Sequence, residues 1–176
     1  FKMIKAGVLG AGHLGKIHLR LLDASDQYEL VGFYDPSTQN AKALSKEKGY
    51  THFKSAEALI KACEMIDIVT PTLNHHEMAL KALQAGKYIF IEKPIANSLA
   101  EALEISQTAT KRGLLGQVGH VERFNPAFKA VKDSITHPMF IESHRLAEFN
   151  PRGTDVPVVL DLMIHDIDII LSIVND

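Results

Sequence analysis

Lys93 and, far along the chain from it, the pair Asp161 and His165 are of types that carry protons or stabilise developing negative charge. The run Gly10-Ala11-Gly12-His13-Leu14-Gly15 is of the type that lets backbone N–H groups close on a pyrophosphate. Together they outline oxidation of a secondary alcohol. That chemistry needs the carbinol carbon beside a hydride acceptor, a group to take the hydroxyl proton, and a positive charge near the developing alkoxide. His165 and Lys93 are suited to the last two. Lys93 precedes Pro94, which keeps the backbone at 93 out of the helical region and aims the ammonium over a sheet edge. An isolated Lys-Pro reads as a surface lysine at a strand end, but the neighbouring Glu92 and the place of Lys93 in the chain favour a functional lysine.

Asp161, His165, Asp168 and Ser172 stand at i, i+4, i+7 and i+11 of a stretch, 158–174, that is apolar nearly all round, and so form one polar line on a helix. Burying carboxylates is costly without partners, and three explanations compete. The line faces solvent, or caps the helix at Asp161 and satisfies core contacts; or Asp161 and His165 hold a metal with a third ligand, although no HExxH or cysteine set supports one; or His165 is a general acid/base with Asp161 beside it. The third is favoured because Lys93 ends a strand on the cofactor edge.

The elements that must position these groups are legible in order. A short apolar run, 6–9, leads into the glycine turn, and Leu14, Ile17, Leu21 and Leu22 follow at helical spacing. Gly10 permits the tight turn, Gly12 lets the backbone approach the phosphates, and Gly15 lets helix and strand pack closely. A second strand, 28–34, ends in Asp35, 20 residues beyond Gly15. A carboxylate there accepts hydrogen bonds from ribose hydroxyls and repels a 2′-phosphate, which favours NAD over NADP. A helix through Ala41 and Leu44 closes at Gly49, an extended segment follows at His52-Phe53, and Ser55 caps the next helix. Residues 65–69 read as a strand buried mid-sheet, ending at Thr70-Pro71, on the edge where doubly wound sheets bind ligands. Asn74 with Glu77, and Ser98 with Glu101, have capping-box spacing. The helix after Asn74 buries Met78, Ala79, Ala82 and Leu83, and the one after Ser98 runs through Leu99, Ala102, Leu103 and Ala109 to Gly113. Strands at 88–91 and 115–118 complete the alternation. The expected fold is α/β, a Rossmann-type doubly wound parallel sheet over 1–120, followed by the beginning of an α+β second domain over 121–176. In the latter, a polar turn and short helix precede a strand at 140–144, a loop at 148–156 and the final helix.

The 176 residues carry 46% hydrophobic and 23% charged side chains, which excludes disordered and collagen-like classes. A net charge of −2 with no basic stripe argues against nucleic acid as a partner. Cys63 is the one cysteine; an internal disulfide is excluded and a reducing, cytoplasmic setting is expected. No signal peptide or membrane span is read, since His165, Asp166 and Asp168 interrupt the longest apolar tract.

The glycine motif, Thr70-Pro71 followed by His75, Ala85-Gly86-Lys87, Glu92-Lys93-Pro94, and Asp161 with His165 four residues on together resemble the Gfo/Idh/MocA oxidoreductases, the glucose–fructose oxidoreductase and inositol dehydrogenase family. The resemblance runs from about residue 4 to the end. It implies that Lys93, Asp161 and His165 line an active site, with the base being either Lys93 or His165, and it sets Gly10, Gly12, His13, Leu14, Gly15, Asp35, Thr70, Pro71, His75, Glu92 and Lys93 around NAD. Residues 119–126 and 158–168 are most similar to members that oxidise C3 of UDP-N-acetylglucosamine. Arg123, Asn125 and Arg152 are the candidates for a substrate's diphosphate or carboxylate. The implied activity is that of an NAD-dependent dehydrogenase acting on the CH–OH group of a sugar or sugar nucleotide, in a homo-oligomer when full length. Members run to roughly twice this length on a large, mostly antiparallel second sheet, so the chain is expected to lack most of that domain. The other reading is a non-catalytic dinucleotide-binding or sensing module, or an inactive fragment of such an enzyme.

Overall fold

The apolar runs become five strands, β1 (Ile4–Leu9), β2 (Tyr28–Tyr34), β3 (Met65–Ile68), β4 (Tyr88–Ile91) and β5 (Gly116–Val118), paired in the order β2-β1-β3-β4-β5. Every pairing is parallel. The helices between them are α1 (His13–Asp23), α2 (Thr38–Lys48), α3 (Ala56–Ala62), α4 (His75–Gln84) and α5 (Leu99–Arg112). This computed structural model describes residues 2–146 and 157–174 and divides into two units, Phe1–Val118 and Gly119–Asp176. The doubly wound sheet is the first unit.

Because successive strand residues point to opposite faces, the core splits in two. Val8 and Phe33 pack with Leu19 of α1 and Ala41 and Leu44 of α2. Leu9, Ile66, Ile68, Ile89 and Ile91 pack against α3, α4 and α5 through Leu59, Ala79, Leu83 and Ile105. Burying each large side chain of this kind is worth about 1.5–3 kcal/mol, so the sheet is stabilised from both faces. From β1 the chain steps outward to β2 and then returns to β3 on the other side of β1, which puts the topological switch point at the carboxyl ends of β1 and β3.

Local signals were honoured unevenly. Ser98 forms the complete capping box with Glu101, and Ser55 accepts from the Ala58 N–H. Asn74 makes no side-chain cap, because the 3₁₀ turn Thr72–Asn74 runs into α4 and leaves Asn74 helical instead of extended. On α5 the inward face is Ala102, Ile105 and Ala109. Leu103, about 100° round the helix from Ala102, is 48% exposed, and Leu99 faces out as well.

The second unit holds a 3₁₀ turn (Val121–Phe124), α6 (Pro126–Val131) with Asn125 as its cap, a π-helical turn (Val159–Met163) and α7 (Ile164–Ile173). The expected strand at 140–144 is not formed: no strand lies alongside it among the described residues, and a ladder needs two. The expected loop at 148–156 lies outside the described residues. The stretch expected as one α-helix opens with the π turn, which contains Asp161; such single turns are rare and occur often at functional sites.

Candidate active site

The glycine turn sits on the switch point. Gly10 has φ +98°, and a Cβ there would stand 2.6 Å from the Val69 carbonyl oxygen. A Cβ on Gly15 would lie 2.0 Å from the Gly10 carbonyl oxygen, so α1 and β1 approach only because both positions lack a side chain. Gly12 differs: a Cβ on it would meet no atom of the protein within 4 Å. It begins α1 with no side-chain cap, leaving the first-turn N–H groups, with His13 and Leu14 exposed beside them, open to an anion. Asp35 closes the turn from the end of β2. Its Oδ2 accepts from the Ala11 N–H and its Oδ1 from the Ser37 N–H, both at 2.8 Å, and each oxygen retains a second lone pair. The Thr70 hydroxyl is buried at the end of β3 with no hydrogen bond to the protein. An acidic group at the end of β2, an uncapped helix N-terminus and an unsatisfied buried hydroxyl fit a dinucleotide.

β4 delivers Glu92 and Lys93 to the same edge. The Glu92 N–H donates to the Ile68 carbonyl at 3.0 Å, and the Lys93 N–H donates to Glu92 Oε2 at 3.1 Å. His75, read from sequence as a cofactor contact, is instead 1% exposed, with Nδ1 2.8 Å from the Pro94 carbonyl oxygen and Nε2 2.9 Å from that of Thr70. Both nitrogens are occupied by main chain, so the ring ties the turn after β3 to the turn after β4. Cys63 is buried, and burial pushes its thiol up to about 11, so it is no nucleophile near neutral pH.

Beneath Glu92 lies a charge cluster that sequence reasoning missed. Ile66 and Ile68 face α3 and α4, so Asp67 between them points to the opposite face, where α1 packs. There His18 Nδ1 stands 2.8 Å from Asp67 Oδ2, and His18 Nε2 stands 3.3 Å from Glu92 Oε1. Asp67 is 3% exposed and Glu92 7%. Burial alone would lower the His18 pKa, but hydrogen bonds to Asp67 and Glu92 and their charges outweigh it and raise it to about 9; burial pushes Asp67 up. The one available sequence signal was a carboxylate alternating with isoleucines in a central strand.

This cluster carries a pH prediction. His18 binds its proton more tightly folded, at about 9, than unfolded, at 6.5, so its contribution to stability is complete below pH 6.5 and disappears as pH rises through about 9. The gap in melting temperature between the wild type and His18→Gln should therefore be wide at pH 6.5 and shrink toward pH 9.5. A constant gap across that range would contradict it.

In the second unit, Arg123 is bonded to Asp168 in a bidentate pair, Nε to Oδ2 at 2.6 Å and Nη2 to Oδ1 at 2.7 Å, with His120 Nδ1 at 3.8 Å. Arg123 holds Asp168 below the usual carboxylate range. Two of the guanidinium's N–H groups thus serve the fold instead of an incoming anion. Asn125, the second substrate candidate, caps α6 through Oδ1 and donates from Nδ2 to Glu122. Arg152 lies outside the described residues. Arg145 pairs with Asp166 at 2.8 Å. The solvent-facing explanation of the polar line is overturned at Asp168, which is 8% exposed, whereas Met163, Ile167 and Leu171 on the other side of the helix are exposed. Asp161 and His165 are part-buried on this helix; Lys93 belongs to the first unit. Among the described residues no group of three or more His, Cys, Asp or Glu could hold a metal ion, and no helix is long and apolar enough to cross a membrane.

The fold and the glycine–aspartate cradle define a dinucleotide-binding protein of the Rossmann class. Residues 4–120 match the Gfo/Idh/MocA model, described as an oxidoreductase family with an NAD-binding Rossmann fold, and the chain belongs to that family, whose members use NAD(P). It is 37% identical over 169 residues to UDP-N-acetylglucosamine 3-dehydrogenase of Acidithiobacillus ferrooxidans, covering 96% of this chain and 53% of that protein. It is 31% identical to scyllo-inositol 2-dehydrogenase (NAD(+)) of Bacillus subtilis, covering 94% of this chain and 52% of that one. A solved structure of the A. ferrooxidans enzyme superposes with a TM-score of 0.91 at 35% identity, covering 98% of this chain and 57% of the other. The chain thus spans about half the length of these relatives.

Proposed function

We propose that the protein is an NAD-dependent dehydrogenase that oxidises a secondary alcohol of a sugar or sugar nucleotide, with the UDP-N-acetylglucosamine type of substrate supported by the similarity to the A. ferrooxidans enzyme. The observation that carries this reading is Lys93 at the carboxyl end of β4, on the sheet edge that also bears the glycine turn and Asp35. The first-turn N–H groups of α1 hold the pyrophosphate, Asp35 accepts from the ribose hydroxyls, and Thr70 and Pro71 line the edge beside them. When bound, NAD supplies hydride acceptance. Lys93 places a positive charge where the substrate oxygen gains negative character, and the hydroxyl proton goes to Lys93 or His165, the two candidates for the base that the family resemblance gives.

The decisive experiment is NADH formation by the complete protein against a panel of UDP-sugars, inositols and free sugars. Turnover with none of them, alongside tight NAD binding, would favour a binding or sensing module. Cofactor choice gives a separate prediction. Asp35 would oppose a 2′-phosphate, and Pro36-Ser37-Thr38 offers no cation to receive one. NAD should bind more tightly than NADP, and Asp35→Ala should narrow the gap by about tenfold or more, since loss of charge-assisted bonds and of repulsion each count for about 1.5–3 kcal/mol. Tighter binding of NADP by the wild type would overturn the assignment.

A further inference from the structure

We propose that His18 is a positioning residue: clamped between Asp67 and Glu92, it fixes the Glu92 carboxylate that in turn holds the Lys93 main chain, and so aims the lysine without touching substrate or cofactor. This rests on the reading of Lys93 as the active-site lysine.

The geometry runs through three elements in sequence. Asp67 sits on the central strand β3, His18 on α1 immediately behind the glycine turn, and Glu92 at the exit of β4. Two carboxylates, each less than a tenth exposed, face one imidazole. A neutral ring donates one hydrogen bond and offers a lone pair on its other nitrogen, so it can satisfy only one of them. An imidazolium donates from both nitrogens, 2.8 Å to Asp67 Oδ2 and 3.3 Å to Glu92 Oε1. With Oε1 so held, the remaining Glu92 oxygen, Oε2, accepts the Lys93 N–H at 3.1 Å. The carboxylate therefore has one oxygen toward α1 and the other on the residue that does the chemistry. His75 secures the other side of the same turn through the Pro94 carbonyl. The Phe90 ring, tilted 5.9 Å from His18, borders the imidazole from β4 and offers no competing hydrogen bond. A buried ion cluster is seldom the most stable filling for a core, and an apolar replacement of equal volume often matches it. Its cost makes sense if it fixes geometry.

The test uses the complete, active protein and the variant His18→Gln, alone and combined with Lys93→Met. At a temperature well below melting, His18→Gln should lower kcat about 10- to 100-fold, the scale of an ~1 Å misplacement, with the dissociation constant for NAD changed less than about threefold. Hydrogen exchange at the Lys93 amide should quicken. On the Lys93→Met background the same change should cost less than about twofold more, because its effect passes through the lysine. Should His18→Gln fold poorly, the double variant His18→Leu/Asp67→Leu removes one of the two buried carboxylates together with their shared cation. It should melt above His18→Leu alone and still turn over slowly, which a merely structural histidine would not do. Unchanged exchange at the Lys93 amide, turnover restored together with melting temperature, or an equal loss of kcat on both backgrounds would each overturn the proposal. Full activity of Lys93→Met by itself would instead refute the active-site reading on which it rests, and would show as such in that arm.

Discussion

Lys93→Met lowers turnover of the complete protein by about two to four orders of magnitude while NAD binding stays within a few fold, if the ammonium stabilises alkoxide or moves a proton at the substrate oxygen. Methionine keeps the length of the side chain and removes its charge. The main-chain ties of residue 93, its N–H to Glu92 Oε2 and the neighbouring Pro94 carbonyl to His75, do not involve the ammonium, so the turn should survive the change. Steady-state kinetics with the preferred substrate and fluorescence titration of NADH separate the two effects. Full turnover would mean that Lys93 is only a surface lysine at a strand end.

The second large effect belongs to the glycines, and it divides them by what their missing side chains make room for. Gly15→Ala would put a methyl 2.0 Å from the Gly10 carbonyl oxygen, a backbone atom that cannot rotate away. α1 must then move off β1. Overpacking of this kind costs about 3 kcal/mol or more, which in a protein of this size lowers the melting temperature by at least about 6–12 °C. NAD binding should be lost with it, because the same displacement moves the first-turn N–H groups. Gly12→Ala makes the opposite prediction. Its methyl meets nothing in the protein within 4 Å, so the melting temperature without ligand should hold. The rise caused by NAD, worth about 2.7 kcal/mol at a hundredfold excess over the dissociation constant, should shrink if the phosphates approach Gly12 as proposed, since the methyl would stand in their way. Melting curves with and without NAD for both variants decide this; a Gly12→Ala protein that melts early but binds normally would invert the assignment.

Much of the first unit was legible in residue order because its determinants are local. Strand, glycine turn and helix follow one another within 20 residues, Asp35 ends the next strand, and the Ser98–Glu101 box needs only four consecutive residues to form. Alternation of strands and helices with short connections leaves few topologies other than a parallel sheet. The family resemblance rested on short runs of this unit together with Asp161 and His165 of the second, and the family is upheld by the match over residues 4–120.

What composition and spacing determined, then, was the architecture of the sheet and the identity of the residues at its carboxyl edge: Gly10, Gly12, Gly15, Asp35 and Lys93. Tertiary structure alone decided which polar groups face each other. His18 and Asp67 are 49 residues apart, and Arg123 and Asp168 45, so no periodicity within one element could pair them. Sequence reading set His75 around the cofactor, and packing sealed it between two carbonyls; it gave Arg123 to a substrate, and folding gave it to Asp168. The physical reason is common to these cases. A helix or strand declares in its own sequence that it has a polar side, but a buried charge takes its partner from whichever element the fold brings against it, and that choice is made by long-range packing.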